Sequence, residues 1–172
     1  MQSGLFCAPE AKAVNYLVGR IPARIGPDHL TFLAFAGAVL SGASLVGCQF
    51  SEWFLLPFGL GLAMNWFGDS LDGALARHRA IERERAGFLI DRGCDVLCFA
   101  VVILGLGQSP YLPAYASLML LVAYLINTLY GLLRAVVDQQ ALIGFGGVGA
   151  TEGKLFVVFW VLAMSISHIS FS

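Results

Sequence analysis

The chain has 172 residues, of which 58% are hydrophobic and 12% are charged, with a formal net charge of -1. An average soluble domain carries roughly 25% charged residues, so this composition argues against a soluble domain and for a polytopic membrane protein. The balanced charge says little by itself, and no nucleic-acid partner is expected.

Residues Met1–Glu10 lack a basic start, and Cys7, Ala8 and Pro9 interrupt any apolar run, so no secretory signal is expected there. From about residue 11 to 25, Val14, Leu17, Val18 and Ile21 recur at helical spacing, with Lys12, Asn15 and Arg20 elsewhere. That pattern predicts an amphipathic helix lying on the membrane surface and stopping near Pro22. Gly26-Pro27 punctuates the chain, and Pro27-Asp28-His29-Leu30-Thr31 leads into a first apolar helix over about 30–50. A bilayer core needs about 20 apolar residues, which this stretch supplies. A second helix is predicted over about 52–78, uncharged until Asp69, and a third over about 87–107 with Asp91 and Asp95 near its start. Ser109-Pro110 turns the chain into a fourth helix over about 111–137. The glycine-rich segment from Gly144 to Glu152 comes next, with Thr151 as a helix cap, and a fifth helix over about 152–169 closes the chain. The expected fold is therefore all-α: one membrane domain over residues 1–172, its transmembrane bundle occupying about 30–172.

Basic residues gather at Lys12, Arg20 and Arg24, at Arg77, Arg79, Arg83, Arg85 and Arg92, and at Arg134 and Lys154. The alternate loops near 49–52 and 107–111 carry none, so the positive-inside bias puts the N-terminus and the 69–95 region on the cytoplasmic side. Of the four cysteines, Cys94 and Cys98 lie one helical turn apart beside Asp95 and read best as small apolar packing residues.

Asp69, Asp72, Asp91 and Asp95 form two pairs, spaced i,i+3 and i,i+4, so each pair projects from one helix face. A single Asp at a helix end is usually a cap. Four beside apolar helices are costly unless something positive neutralises them. Oxygen donors of this kind suit hard divalent cations, Mg²⁺, Mn²⁺ or Ca²⁺, and two such ions about 3.5–4 Å apart can clamp a phosphoryl group. Gly73 leaves room for a ligand beside Asp72, and Arg77, one turn on, offers a planar phosphate contact. The residues themselves thus point to a metal-dependent enzyme acting on a phosphorylated substrate at the membrane surface. For Arg79, Arg83 and Arg85, attraction of lipid headgroups is an equally good account.

The stretch resembles the CDP-alcohol phosphotransferases, which share the pattern D-x2-D-G-x2-A-R-x8-G-x3-D-x3-D. Asp69, Asp72, Gly73, Ala76, Arg77, Gly87, Asp91 and Asp95 match its eight fixed positions within 27 residues, although nine residues, not eight, separate Arg77 from Gly87. Residues 27–31 are similar to the family's P-N-x-L-T segment, with Asp28 in place of Asn. Gly147–Glu152 resembles a G-P-T-E-like segment, and Asp91–Asp95 is similar to the D-H-G-C-D of choline and ethanolamine phosphotransferases. The resemblance implies transfer of a substituted phosphate from a CDP-linked donor to an alcohol, releasing CMP, in phospholipid biosynthesis. It implies two divalent metals on Asp69, Asp72, Asp91 and Asp95, with Asp95 as general base. It further implies donor contacts from Asp28, Thr31, Gly73 and Arg77, six spanning helices where five are counted, and a homodimer in an inner or equivalent membrane. Arg134 and Lys154 are candidate contacts for an anionic acceptor, with interfacial anchoring as the plainer reading. Two rival functions remain at this point. One is a cation transporter using the acids as its pathway, disfavoured because the first and fifth helices offer little beyond Ser41, Ser44 and Ser165. The other is an inactive membrane scaffold.

Overall fold

The structure is a computed structural model that describes residues 14, 16–81, 84–138, 157, 159–161 and 163–165. The glycine-rich segment, Lys154, Arg83 and the side chains of Arg85 and Arg134 lie outside the described residues. Four long helices carry the fold: α1 (Pro27–Gly47), α2 (Leu55–His78), α3 (Glu84–Gly107) and α4 (Ala114–Asp138). A 3-10 turn, Glu52–Phe54, precedes α2, and no strand occurs among the described residues. The all-α expectation is met.

Local chemistry sets the helix ends a few residues away from where apolar runs alone would put them. Pro27 occupies the first turn of α1, where its missing N–H costs nothing, so the helix starts before its apolar run. The imidazole Nδ1 of His29 accepts the Gly26 N–H at 3.2 Å. The Ser51 hydroxyl accepts the Trp53 N–H at the start of the 3-10 turn, which separates residues 52–54 from α2. At the other end of α2, Ile81 N–H reaches the Ala76 carbonyl and Ala80 N–H the Arg77 carbonyl, both at 3.1 Å. That is a Schellman closure, and Ala80 takes the left-handed position usually given to glycine, with φ 54°.

α1 is the central helix, packed against both α2 and α3, whereas α2 and α3 meet each other only sparsely. Side chains are minimal where the helices cross. A Cβ on Gly37 would stand 2.5 Å from the Gly61 carbonyl oxygen, and one on Gly42 would stand 2.7 Å from the Val101 carbonyl oxygen. Without a hydrophobic force to join helices in lipid, such close backbone approach supplies the dispersion contacts that do. Buried polar groups at these crossings are satisfied: Asn65 donates to the Ala34 carbonyl at 2.9 Å and Ser41 to the Phe58 carbonyl at 3.2 Å.

Two apolar clusters result. The larger joins Leu45, Phe58, Ile103, Leu106 and Tyr111 with Val157 and Val161 of the C-terminal helical residues. Trp160 donates to the Tyr111 carbonyl at 3.4 Å and ties that segment to the α3–α4 turn. The smaller packs Val14 and Val18 on Leu30, Leu71, Ala74 and Leu75, beneath the ends of α1 and α2. The amphipathic N-terminal helix therefore seats its apolar face on the bundle, not on lipid alone, and turns off at Gly19–Arg20, earlier than expected. Arg79 fixes the connection from there to α1: its guanidinium donates to the carbonyls of Ile25 at 2.6 Å, Pro22 at 3.0 Å and Ile21 at 3.2 Å.

The exterior is strongly apolar. Phe32 and Phe50 are 72% and 83% exposed, and α4 presents Leu118, Met119, Val122, Ile126, Leu129 and Leu133 outward. Patches of this extent mark a membrane-facing surface. Pro27–Gly47 and Ala114–Leu133 are long and apolar enough to cross a bilayer.

Candidate active site

Helix spacing brings the expected acids to one end of the bundle. Asp72 is buried on α2, while Asp69, Asp91 and Asp95 are partly buried. The charged neighbours of Asp72 include both Asp69 and Asp91, and the Cys94 thiol lies within range of the charges of Asp95, Asp69 and Asp72. The α2 pair and the α3 pair thus face a common space, kept open because both helices are pinned to α1.

Asp72 is the most firmly held of the four. The Thr31 hydroxyl donates to its Oδ2 at 2.7 Å, and the Gly73 backbone N–H donates to its Oδ1 at 2.6 Å. Thr31 sits in the first turns of α1, so the N-terminal end of that helix, with its partial positive charge, points towards the acids. Asp28, one turn earlier, is exposed. On α2, the Arg77 guanidinium folds back beside Gly73, where an added Cβ would lie 3.5 Å from Nη1. The structure therefore brings Gly73 and Arg77 together next to Asp72, as their spacing implies.

On α3, Arg92 Nη1 stands 3.6 Å from Asp95 Oδ2, with Asp95 17% and Arg92 43% exposed. Arg92 also passes over the Phe88 ring, 5.9 Å from its centroid. Sequence reasoning counts Arg92 only among the basic residues of its region. The i,i+3 spacing to Asp95 is the signal that could single it out. Cys94 and Cys98 approach to 3.9 Å between sulfurs and line the α3 side.

Among the described residues, no three His, Cys, Asp or Glu side chains come together tightly enough to enclose a metal ion. The donor set nevertheless fits a hard divalent cation in kind. It consists of carboxylate oxygens from two helices facing one gap, in a setting where several unneutralised acids are costly.

Comparison with known sequences decides what kind of protein this geometry belongs to. Residues 24–170 match the sequence model of the CDP-alcohol phosphatidyltransferase family, a span that includes α1 to α4 and all four acids. The chain belongs to the CDP-alcohol phosphatidyltransferase family. No curated protein and no solved structure matches the chain. Family membership makes it a membrane transferase of phospholipid biosynthesis that uses a CDP-linked alcohol as donor and an alcohol as acceptor. Dependence on a divalent metal is general in the family.

Proposed function

We propose that the gap between α2 and α3 is the transfer site and that Asp95 is its general base. The observation that carries this reading is the convergence of Asp69, Asp72, Asp91 and Asp95 from two helices that α1 holds apart. In the reaction, the acceptor's hydroxyl gives its proton to a carboxylate oxygen of Asp95. The acceptor oxygen then bonds to the phosphorus that carries the donor's alcohol moiety. The bond from that phosphorus to the bridging oxygen breaks, and CMP leaves with the electron pair. Arg77 is placed beside Gly73 to pair with a donor phosphate, and the missing Cβ of Gly73 lets the nucleotide approach the backbone. Asp28 is exposed at the start of α1, where it can meet the nucleotide. Thr31, the other donor contact implied by the family segment, borders the same space and orients Asp72 through its hydroxyl. Arg92 compensates the charge of Asp95 between turnovers.

Asp69, Asp72, Asp91 and Asp95 would hold two divalent ions, Mg²⁺ or Mn²⁺ with Ca²⁺ as an alternative occupant, which supply electrostatic stabilisation of the phosphoryl oxygens when bound. The basic residues around this end of the bundle support a multi-pass topology with the site on the cytoplasmic face. Arg134 and Lys154 are proposed for an anionic acceptor, and two copies of the chain for the assembled enzyme.

The test is CMP release by the purified protein with Mg²⁺ or Mn²⁺ and a panel of CDP-linked donors and alcohol acceptors. Asp95→Asn should lower turnover by roughly 10²–10⁴-fold, the usual contribution of a general base, while insertion and melting stay unchanged. Normal turnover by that variant would remove Asp95 from the role.

A further inference from the structure

The acids and Arg77 account for the donor side of the gap, and the side facing α4 carries a feature of its own. Between Ser117 and Arg134, the polar residues of α4 are Tyr124, Asn127, Thr128 and Tyr130. Asn127 and Tyr130 are exposed, whereas Tyr124 and Thr128 are half-buried, turned towards the bundle. The Tyr124 ring stacks on Phe99 of α3, with centroids 3.9 Å apart and planes inclined by 22°. Phe99 and Asp95 are four residues apart and share one face of α3. α3 leaves the acid end while α4 returns to it, so the turn from Tyr124 to Thr128 rises in the same direction as the turn from Phe99 to Asp95. Thr128 therefore lies one turn nearer the acid end than Tyr124, as Asp95 does relative to Phe99. The Tyr124 phenol and the Thr128 hydroxyl lie one helical turn apart, within reach of each other, and Asp95, Arg92 and Asp69 are among the charged groups around the phenol.

We propose that Tyr124 and Thr128 form the acceptor-side wall of the site, binding the acceptor alcohol through their hydroxyls and aiming its reacting O–H at Asp95. This rests on the assignment of Asp95 as base. The chemistry suits the task. A hydroxyl both donates and accepts, so the pair can hold another hydroxyl in either sense. Being neutral, it adds no charge to a space already crowded with carboxylates. The Phe99 stack fixes the ring, so the phenol oxygen is presented without further ordering on binding. A purely structural Tyr–Thr pair would leave substrate binding untouched when its hydroxyls are removed.

Tyr124→Phe keeps the ring and its stack, and Thr128→Val keeps the shape of the side chain. Each should be compared with wild type and Asp95→Asn in vesicles holding the full chain. CMP release is measured with the CDP-linked donor and the alcohol acceptor that the wild type turns over in the panel above, alongside a thermal melt. Each hydroxyl deletion should raise the acceptor KM about three- to tenfold, the value of one hydrogen bond, with donor KM unchanged and at most a small fall in melting temperature. An unchanged acceptor KM in both variants overturns the proposal, as does a rise of donor and acceptor KM together. If Asp95→Asn turns over normally, the assignment of the site itself has failed. If Asp95→Asn is inactive while both hydroxyl variants behave as wild type, only the acceptor wall has failed.

Discussion

The interface between α1 and α2 and the one between α2 and α3 are opposite solutions to the same packing problem. At the first, glycines let backbones approach until a single added methyl would collide, and the buried Asn65 and Ser41 are bonded across it. At the second, the helices scarcely touch, and carboxylates occupy the separation. The contrast shows how a small membrane chain keeps like charges near one another. Neither acid-bearing helix has to hold the other, because each is fixed to α1, and the close contacts elsewhere offset the cost of the gap. Thr31 crosses from the tight interface to the acids through its bond to Asp72.

The comparison is broken most severely by filling the tight side. Gly37→Val would place side-chain atoms against the Gly61 carbonyl oxygen and the Asn65 backbone nitrogen, which lie 2.5 and 2.6 Å from an added Cβ. Helix separation should cost about 3 kcal/mol, near the upper end for overpacking, and should be seen as a clear fall in melting temperature in detergent. An unaltered melt would show that α1 and α2 do not pack this closely. Thr31→Val acts at the link between the two interfaces. It keeps the shape of the side chain and removes a hydrogen bond to a carboxylate, a class worth about 1.5–3 kcal/mol. Turnover should fall roughly tenfold or more as Asp72 loses its fixed orientation, with a smaller loss of thermal stability. Wild-type turnover in that variant would mean that Asp72 needs no such support. The smallest effect is expected at Ala80, which closes α2 outside both interfaces. Ala80→Gly relieves the left-handed backbone and should stabilise by about 0.5–1 kcal/mol, offset in part by the looser unfolded chain. CMP release should not change, so a gain in stability with altered activity would tie this turn to the site.

The legibility of the molecule tracks the range of its interactions. Apolar runs between punctuating residues locate all four long helices to within about three residues at each end, and the differences at the starts of α1 and α2 trace to Pro27 and to the 3-10 turn at Glu52–Phe54, both governed by one or two residues. The N-terminal helix is correct in its apolar positions, but what those positions meet is not readable. Val14 and Val18 look the same in sequence whether they face lipid or Leu71 and Leu75. Arg79 reads as one more interfacial cation, yet it donates to three carbonyls more than 50 residues before it. Arg92 is within reach of a spacing argument, since its partner lies three residues away.

The stretch from Asp69 to Asp95 determined by itself the two acid pairs, the faces they share and the room beside Gly73, because helical periodicity turns sequence spacing directly into direction, and its motif carries the resemblance to the family. Tertiary structure decided which other groups meet those acids. α1 acts as the spacer between them. Thr31 reaches Asp72 across 41 positions, and α4 brings Tyr124 onto Phe99, one turn along α3 from Asp95. Contacts between helices distant in sequence have no period to betray them. They depend on how closely glycine-bearing surfaces let the helices approach, and that is a property of the packed bundle.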